Sequence, residues 1–234
     1  MNHFDSSILQ WLNQFAERSG RFDSVVQFLS DCDLCKGFPF LLIFWWFWFT
    51  QDEQRTRNRE IIVATFAATF CTIVLGRAMA TLLPFRLRPA FNPELGFVSH
   101  QATLNAVLRT WSAFPSDHAM MFAALATGCY FISPILGSSA FVYALIFIDL
   151  PRVYLGLHNP TDVIAGALIG VAVGCAFNIR QIRPRISTPV LQWEAGHQSA
   201  FYALFFFVSI QMATMFSEPR EIVMTLIKVA RGHV

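Results

Sequence analysis

Long apolar runs, nearly free of charge, alternate with short polar stretches along this 234-residue chain. An apolar run of about 20 residues is long enough to cross the hydrocarbon of a bilayer. The pattern predicts crossings over 37–50, 61–83, 116–132, 140–154, 161–179 and 200–216. The first is short for the task, and its Trp45, Trp46 and Trp48 suit a membrane interface. Ser133-Pro134 and Gly137-Ser138-Ser139 predict a turn, and residues 179–189, with Arg180, Arg183 and Arg185, predict a basic loop. Ahead of the first crossing, Ile8, Leu9, Trp11, Leu12 and Phe15 recur at helical spacing, and Asp5-Ser6-Ser7 offers N-cap choices. Phe22, Val25, Val26, Phe28 and Leu29 repeat the theme. These two helices either lie on the bilayer or pack over the mouth of a bundle. The expected fold is all-α: a polytopic membrane helical bundle of about six transmembrane helices with amphipathic N-terminal helices. Residues 1–36 form the surface segment, 37–216 the membrane domain and 217–234 an amphipathic tail. Gly166, Gly170 and Gly174 share one helix face, so another helix can approach closely there.

Composition strengthens this picture. Hydrophobic residues make up 55% of the chain and charged residues 14%, with a mean hydropathy of +0.48. That excludes an ordinary soluble domain. A net charge of +2 gives no reason to expect nucleic acid as a partner. The first thirty residues mix Asp5, Glu17, Arg18, Arg21 and Asp23 with apolar positions, so no secretory signal is read there. The five cysteines form no disulfide framework. Cys32-Asp33-Leu34-Cys35 lacks the further ligands of a zinc site, and a disulfide is open to it in an oxidising compartment. Cys71, Cys129 and Cys175 read as packing residues.

The placement of charge says more than its sum. Arg55, Arg57 and Arg59 fall on the same side as Arg180, Arg183 and Arg185, and the positive-inside rule makes that side cytoplasmic. Arg77, Arg86, Arg88, His118, Arg152, His158 and Asp162 then gather at the outer face. Snorkelling to lipid headgroups would explain one or two of these arginines, but not a cluster drawn from three separate segments.

Guanidinium groups bind phosphate oxygens bidentately. Pro115-Ser116-Asp117-His118 opens a helix, whose unpaired N–H groups favour an anion. Ser116 adds a hydroxyl donor, while the Asp117 side chain should point aside and contribute only its N–H. Asp162 lies four residues after His158 and is expected to accept from one of its ring nitrogens. The other nitrogen is left as a nucleophile. His118 is the matching general acid. His3, His100, His197 and His233 lack such company.

In this order, Arg88-Pro89, then Pro115-Ser116-Asp117-His118, then Arg152-x5-His158-x3-Asp162, the chain resembles the type-2 phosphatidic acid phosphatases over about residues 77–180. That family shares a helical core with bacterial acid phosphatases and vanadium haloperoxidases. The resemblance implies phosphate binding by Arg88, Arg152, Ser116 and the Asp117 backbone. It implies His158 as a nucleophile that becomes phosphohistidine, His118 as the acid and Asp162 as the partner of His158. It also implies six membrane helices, with no metal and no cofactor. Three positions depart from the family pattern. Thr81 stands where a Lys is expected, with Arg77 and Arg86 as candidate replacements for phosphate binding. Asp117 replaces a Gly, as in bacterial members acting on undecaprenyl diphosphate. Pro151 replaces a Ser. The implied activity is hydrolysis of a lipid phosphate or diphosphate, foremost undecaprenyl diphosphate, at the outer face of a bacterial inner membrane. Phosphatidate, phosphatidylglycerophosphate and lipid binding without turnover stay open as alternatives.

Overall fold

The computed structural model describes residues 2–16, 18–96, 106–216 and 225. The expectations for Glu17, His100, His233 and the rest of the tail lie outside the described residues. All regular structure among the described residues is helical. The order is α1 (His3–Asn13), α2 (Gly20–Asp31), α3 (Asp33–Phe49) and α4 (Arg55–Leu82). An irregular connection follows, with single 3-10 turns at Pro89–Phe91 and Pro93–Leu95 and a short α5 (Ala106–Thr110). Next comes α6 (Asp117–Ile132). Then α7 (Pro134–Ala144) passes through a π-helical turn at Leu145–Asp149 into α8 (Leu150–Tyr154). The chain ends with α9 (Pro160–Asn178), α10 (Arg183–Gly196) and α11 (Gln198–Ala213).

Among the described residues three helices are long and apolar enough to cross a membrane: α4, the rod from Pro134 to Tyr154, and α9. The pair α2–α3, bent by 56°, would make a fourth crossing. This is an integral membrane protein. Full-length crossings are thus three, or four with the bent pair, fewer than the sequence pattern predicts. At 16 residues, α6 and α11 rise only about 24 Å each, less than a typical hydrocarbon core of about 30 Å.

The core is organised around α6, which packs against α9, α4 and α7 and is buried almost continuously from Ala119 to Cys129. The glycine face of α9 makes this possible. A Cβ on Gly166 would lie 2.5 Å from the Ser116 carbonyl oxygen, and one on Gly170 would lie 2.2 Å from that of Met120. The expected close approach is therefore made, and α6 is the partner. Where neighbouring lipid is as apolar as the core, close packing of this kind does most of the holding. It also seats the first turns of α6 and α9 side by side, with the Ser116 N–H donating to the Asp162 carbonyl at 3.1 Å.

The two Arg-rich stretches meet at the opposite end, as the charge pattern requires. Arg59 pairs with Glu194 at 3.3 Å, and Arg183 with Glu60 at 3.4 Å. Two predicted breaks are smaller than expected. The basic loop becomes helical at Arg183, because Pro184 in a first turn sacrifices no intrahelical bond. The 133–139 turn shrinks to Ser133. There Pro134 opens α7, and Gly137 lies against Tyr130, where a Cβ would come within 2.2 Å of backbone.

At the other end α1 packs on α8 and α9, and α2 packs on α8. Of the two readings for these helices, the one that covers the bundle mouth is observed. Leu9 and Val26 face inward, while Trp11, Phe22, Val25 and Phe28 remain exposed as an apolar outer face suited to lipid. The cap of α1 is Asn2, whose Oδ1 accepts from the Asp5 N–H at 2.7 Å. Asp5 is thereby freed for a tertiary role. Cys32 and Cys35 are disulfide-bonded at the α2–α3 bend.

Candidate active site

The ends of α4, α6, α8 and α9 away from the Arg-rich stretches, the turn between α8 and α9 and the connection before α6 supply the residues expected to form the phosphate site. Between α8 and α9 the chain turns through Gly156, whose φ of +69° lies in the left-handed region that glycine tolerates best. The turn closes with the Leu157 and His158 N–H groups on the Arg152 carbonyl, at 2.9 and 3.3 Å. His158 is thereby folded back under the bundle mouth, 2% exposed.

Its ring is set by two neighbours. Nδ1 lies 2.9 Å from the Ala113 carbonyl oxygen. A carbonyl only accepts, so Nδ1 carries the proton and Nε2 keeps its lone pair. Nε2 lies 3.4 Å from the Arg88 guanidinium, which also donates to the Leu157 carbonyl at 2.7 Å. Burial first, and then the Arg88 charge, push the His158 pKa down to about 3. The imidazole is neutral at pH 7, as a nucleophile must be.

His118 is oriented from the other side. Its Nδ1 is 3.0 Å from Asp117 Oδ1, and its Nε2 is 2.5 Å from Arg152 Nη2. Asp117 Oδ2 accepts from Arg77 at 2.7 Å, and that guanidinium sits over the Trp111 ring, 4.7 Å from its centroid.

A tight cleft of about 10 Å³ lies between these groups, room for about one water. Arg77, Arg88, Ser112, Asp117 and His158 are among its walls. Three basic side chains, Arg77, Arg88 and Arg152, thus gather around one carboxylate. The surplus of positive charge and of N–H donors suits an oxyanion.

Four sequence expectations are corrected here. The Asp117 carboxylate does not point aside: it lines the cleft, held by Arg77 and His118. Asp162 does not bond His158. Its oxygens accept from Arg86 and from the Asn159 backbone and side-chain N–H groups, at 2.7 and 2.9 Å for the latter two. A carboxylate in the first turn of α9 meets its own helix's N-terminal N–H groups first, and they take it. Of the two arginines weighed against Thr81, Arg77 reaches the cleft, whereas Arg86 is bound by Asp5 and Asp162. Ser116 is fully buried as the N-cap of α6, accepting from the Ala119 N–H at 3.5 Å, and is not part of the cleft wall.

Three contributors went unnoticed in the sequence. Ser112 lines the cleft and accepts from the Arg86 and Phe114 N–H groups, at 3.2 and 3.3 Å. Its one signal is its place two residues before the Phe114-Pro115 pair. The Ala113 carbonyl has no side-chain signature at all. Asp5 was read as a cap.

A family model described as the PAP2 superfamily matches residues 57–185. A putative undecaprenyl-diphosphatase, YbjG, of Escherichia coli is 23% identical over 75% of this chain and 81% of its own length. The bacitracin transport permease protein BcrC of Bacillus licheniformis is 25% identical over 69% of this chain and 73% of its own. An undecaprenyl-diphosphatase of Sulfolobus acidocaldarius is 33% identical over 49% of this chain and 52% of its own. No solved structure matches the chain.

Proposed function

Because the chain belongs to the PAP2 superfamily, we propose that it is an integral membrane phosphatase that removes phosphate from a lipid phosphate, foremost undecaprenyl diphosphate. The observation that carries the reading is the neutral His158, its Nδ1–H held by Ala113 and its free Nε2 beside Arg88. Similarity to relatives named undecaprenyl-diphosphatase supports the choice of lipid.

In the proposed reaction His158 Nε2 attacks the terminal phosphorus of the lipid diphosphate. An N–P bond forms as the bridging P–O bond breaks. Arg88, Arg152 and Arg77 hold the phosphoryl oxygens, whose charge they stabilise in the transition state. Arg152 leaves His118 Nε2 for the phosphate, and His118, protonated there, gives its proton to the departing lipid monophosphate. Asp117 holds the ring in place through Nδ1. Water, deprotonated by His118, then cleaves the N–P bond, releasing inorganic phosphate and restoring neutral His158. Asp162 fixes the turn that carries His158 through Asn159 and Arg86 rather than acting on the ring. The Ser116 hydroxyl caps α6, and the Asp117 N–H at the helix start is a further donor for the anion.

The Arg-rich end belongs in the cytoplasm and the site on the outer face of a bacterial inner membrane, in a fold with six crossings in which α6 and α11 are thin ones. A disulfide on the site's side of the molecule supports an oxidising compartment there.

Purified protein is tested in a metal chelator against undecaprenyl diphosphate, phosphatidate and phosphatidylglycerophosphate. The expected result is phosphate release, fastest from the diphosphate, and none from His158→Ala. Faster release from one of the other two lipids reassigns the substrate. Binding without release supports the second reading, a lipid-binding protein without turnover, which Thr81 and Pro151 favour.

A further inference from the structure

Asp5 is the most buried carboxylate among the described residues of the N-terminal helices, with no exposed surface, and it lies well before the stretch that the family model matches, which begins at residue 57. Its bonds run directly into the segment that carries His158. Oδ1 accepts from the Thr161 N–H at 2.9 Å. Oδ2 accepts from the Thr161 hydroxyl at 2.7 Å and from Arg86 Nη2 at 2.6 Å. The other end of the same guanidinium donates to Thr161 Oγ1 at 2.8 Å and to Asp162. One arginine is thus clasped between two carboxylates, one from α1 and one from α9.

The backbone of Arg86 continues the chain of contacts. Its carbonyl accepts from the Ala113 N–H at 2.8 Å, and its N–H donates to Ser112 Oγ at 3.2 Å. Ala113 is the residue whose carbonyl holds His158 Nδ1. A closed loop therefore runs from Asp5 through Arg86 and Ala113 to His158. It returns along Asn159 and Asp162 to Thr161 and Asp5. Removing the Asp5 charge, as in Asp5→Asn, leaves Arg86 with one carboxylate and the first turn of α9 with one outer acceptor oxygen in place of two. The ring's acceptor and its own backbone are then both held less firmly. A buried, fully bonded network of this kind fixes one geometry, and a partly bonded one does not.

A second contact makes the role of the N-terminal helices a pattern. Asp23, from α2, accepts from the Tyr154 hydroxyl at 2.5 Å, two residues past Arg152. Each surface helix sends one buried carboxylate to the 152–162 segment.

We propose that Asp5 is a positioning residue for His158, and that α1 is a strap completing the site rather than only a membrane-surface helix. The inference rests on the phosphatase reading for its kinetic consequence, but not for its geometric one. A tilt of the nucleophile away from its line of attack slows the chemical step far more than it weakens binding.

The test uses the full chain in detergent with Asp5→Asn, which keeps the shape and removes the charge. Thr161→Val serves as a second variant that breaks the same link if the first does not fold. Two readouts are taken. Hydrogen exchange, measured without substrate, should show faster exchange of the amides of residues 157–163, with those of α4 and central α6 unchanged. Phosphate release should show kcat down about tenfold with KM within about twofold, and Asp5→Glu should recover part of the loss. Unchanged exchange at 157–163 in folded Asp5→Asn overturns the proposal. So does faster exchange with wild-type kcat, which would make Asp5 a structural clasp alone. If the wild type releases no phosphate from any of the three lipids, the phosphatase reading has failed, and exchange alone decides the geometric claim.

Discussion

The two ends of the bundle use the same side chain for opposite ends. At the Arg-rich end Arg59 is paired with Glu194, donates to the Trp48 carbonyl and lies over the Trp48 ring at 4.8 Å. Arg183 is paired with Glu60. Both of these positive charges are answered by a carboxylate. At the site end Arg88 and Arg152 are just as buried, yet among the described residues neither has a carboxylate in ion-pair contact. Their neighbours are a carbonyl and two imidazoles. A buried cation without a counter-ion is destabilising. Two of them, side by side, persist where an anion is to be received. What separates the two kinds of arginine is thus the partner, not the burial.

Substitution at the two ends should give crossed results. Arg88→Gln and Arg152→Gln are expected to lower phosphate release about 10²- to 10³-fold while leaving thermal stability in detergent equal to or above wild type. Arg59→Gln is expected to do the reverse, because it leaves the Glu194 carboxylate buried without its counter-ion, held among the described residues only by the Tyr202 hydroxyl at 3.0 Å. Stability falls, and the folded fraction keeps its kcat. Equal loss of stability at both ends would erase the distinction.

A smaller effect is expected from glycines along one face of α9. An added Cβ at Gly166 meets the Ser116 backbone at 2.5 Å and must push the first turn of α6 away. At Gly174 it meets the Thr127 side chain at 2.9 Å, near the far end. Gly166→Ala should therefore lower both stability, by about 1–3 kcal/mol, and activity. Gly174→Ala should lower stability with kcat preserved. Kinetics alongside thermal melts separate the two.

A further effect is in pH. His158 titrates at about 3 when folded and near 6.5 when unfolded. Between those values the unfolded chain binds the extra proton, so stability rises with pH across that window. The contribution of His158 is full above 6.5 and is lost as pH falls toward 3. Melts from pH 7 to pH 4 should show His158→Gln losing less stability than wild type.

Much of this arrangement was legible in the sequence, and the reasons it was not all legible are local. The glycine face of α9, the shared side of the two Arg-rich stretches and the gathering of Arg77, Arg88, His118, Arg152 and His158 at one end follow from periodicity and charge. Of the six expected crossings, three or four reach full length among the described residues. Apolarity sets which segments are buried, but α6 is buried by its neighbours and is too short to be called a full span by length. The partners of the charged groups were the least legible. Spacing made Asp162 look like a partner for His158, yet the N–H groups at the start of α9 and Arg86 claim it. His158 instead finds a backbone carbonyl, which no side-chain pattern can announce. Asp5 shows the same limit, since a residue suited to cap its own helix can equally clasp another one.

The most direct measurement of the central claim is to quench the enzyme during turnover of undecaprenyl diphosphate labelled in its terminal phosphate, under alkaline conditions, and map the bound label by mass spectrometry. The account predicts label on His158, absent in His158→Ala and lost on treatment with acid. Label on any other residue, or undiminished turnover by His158→Ala, would contradict it.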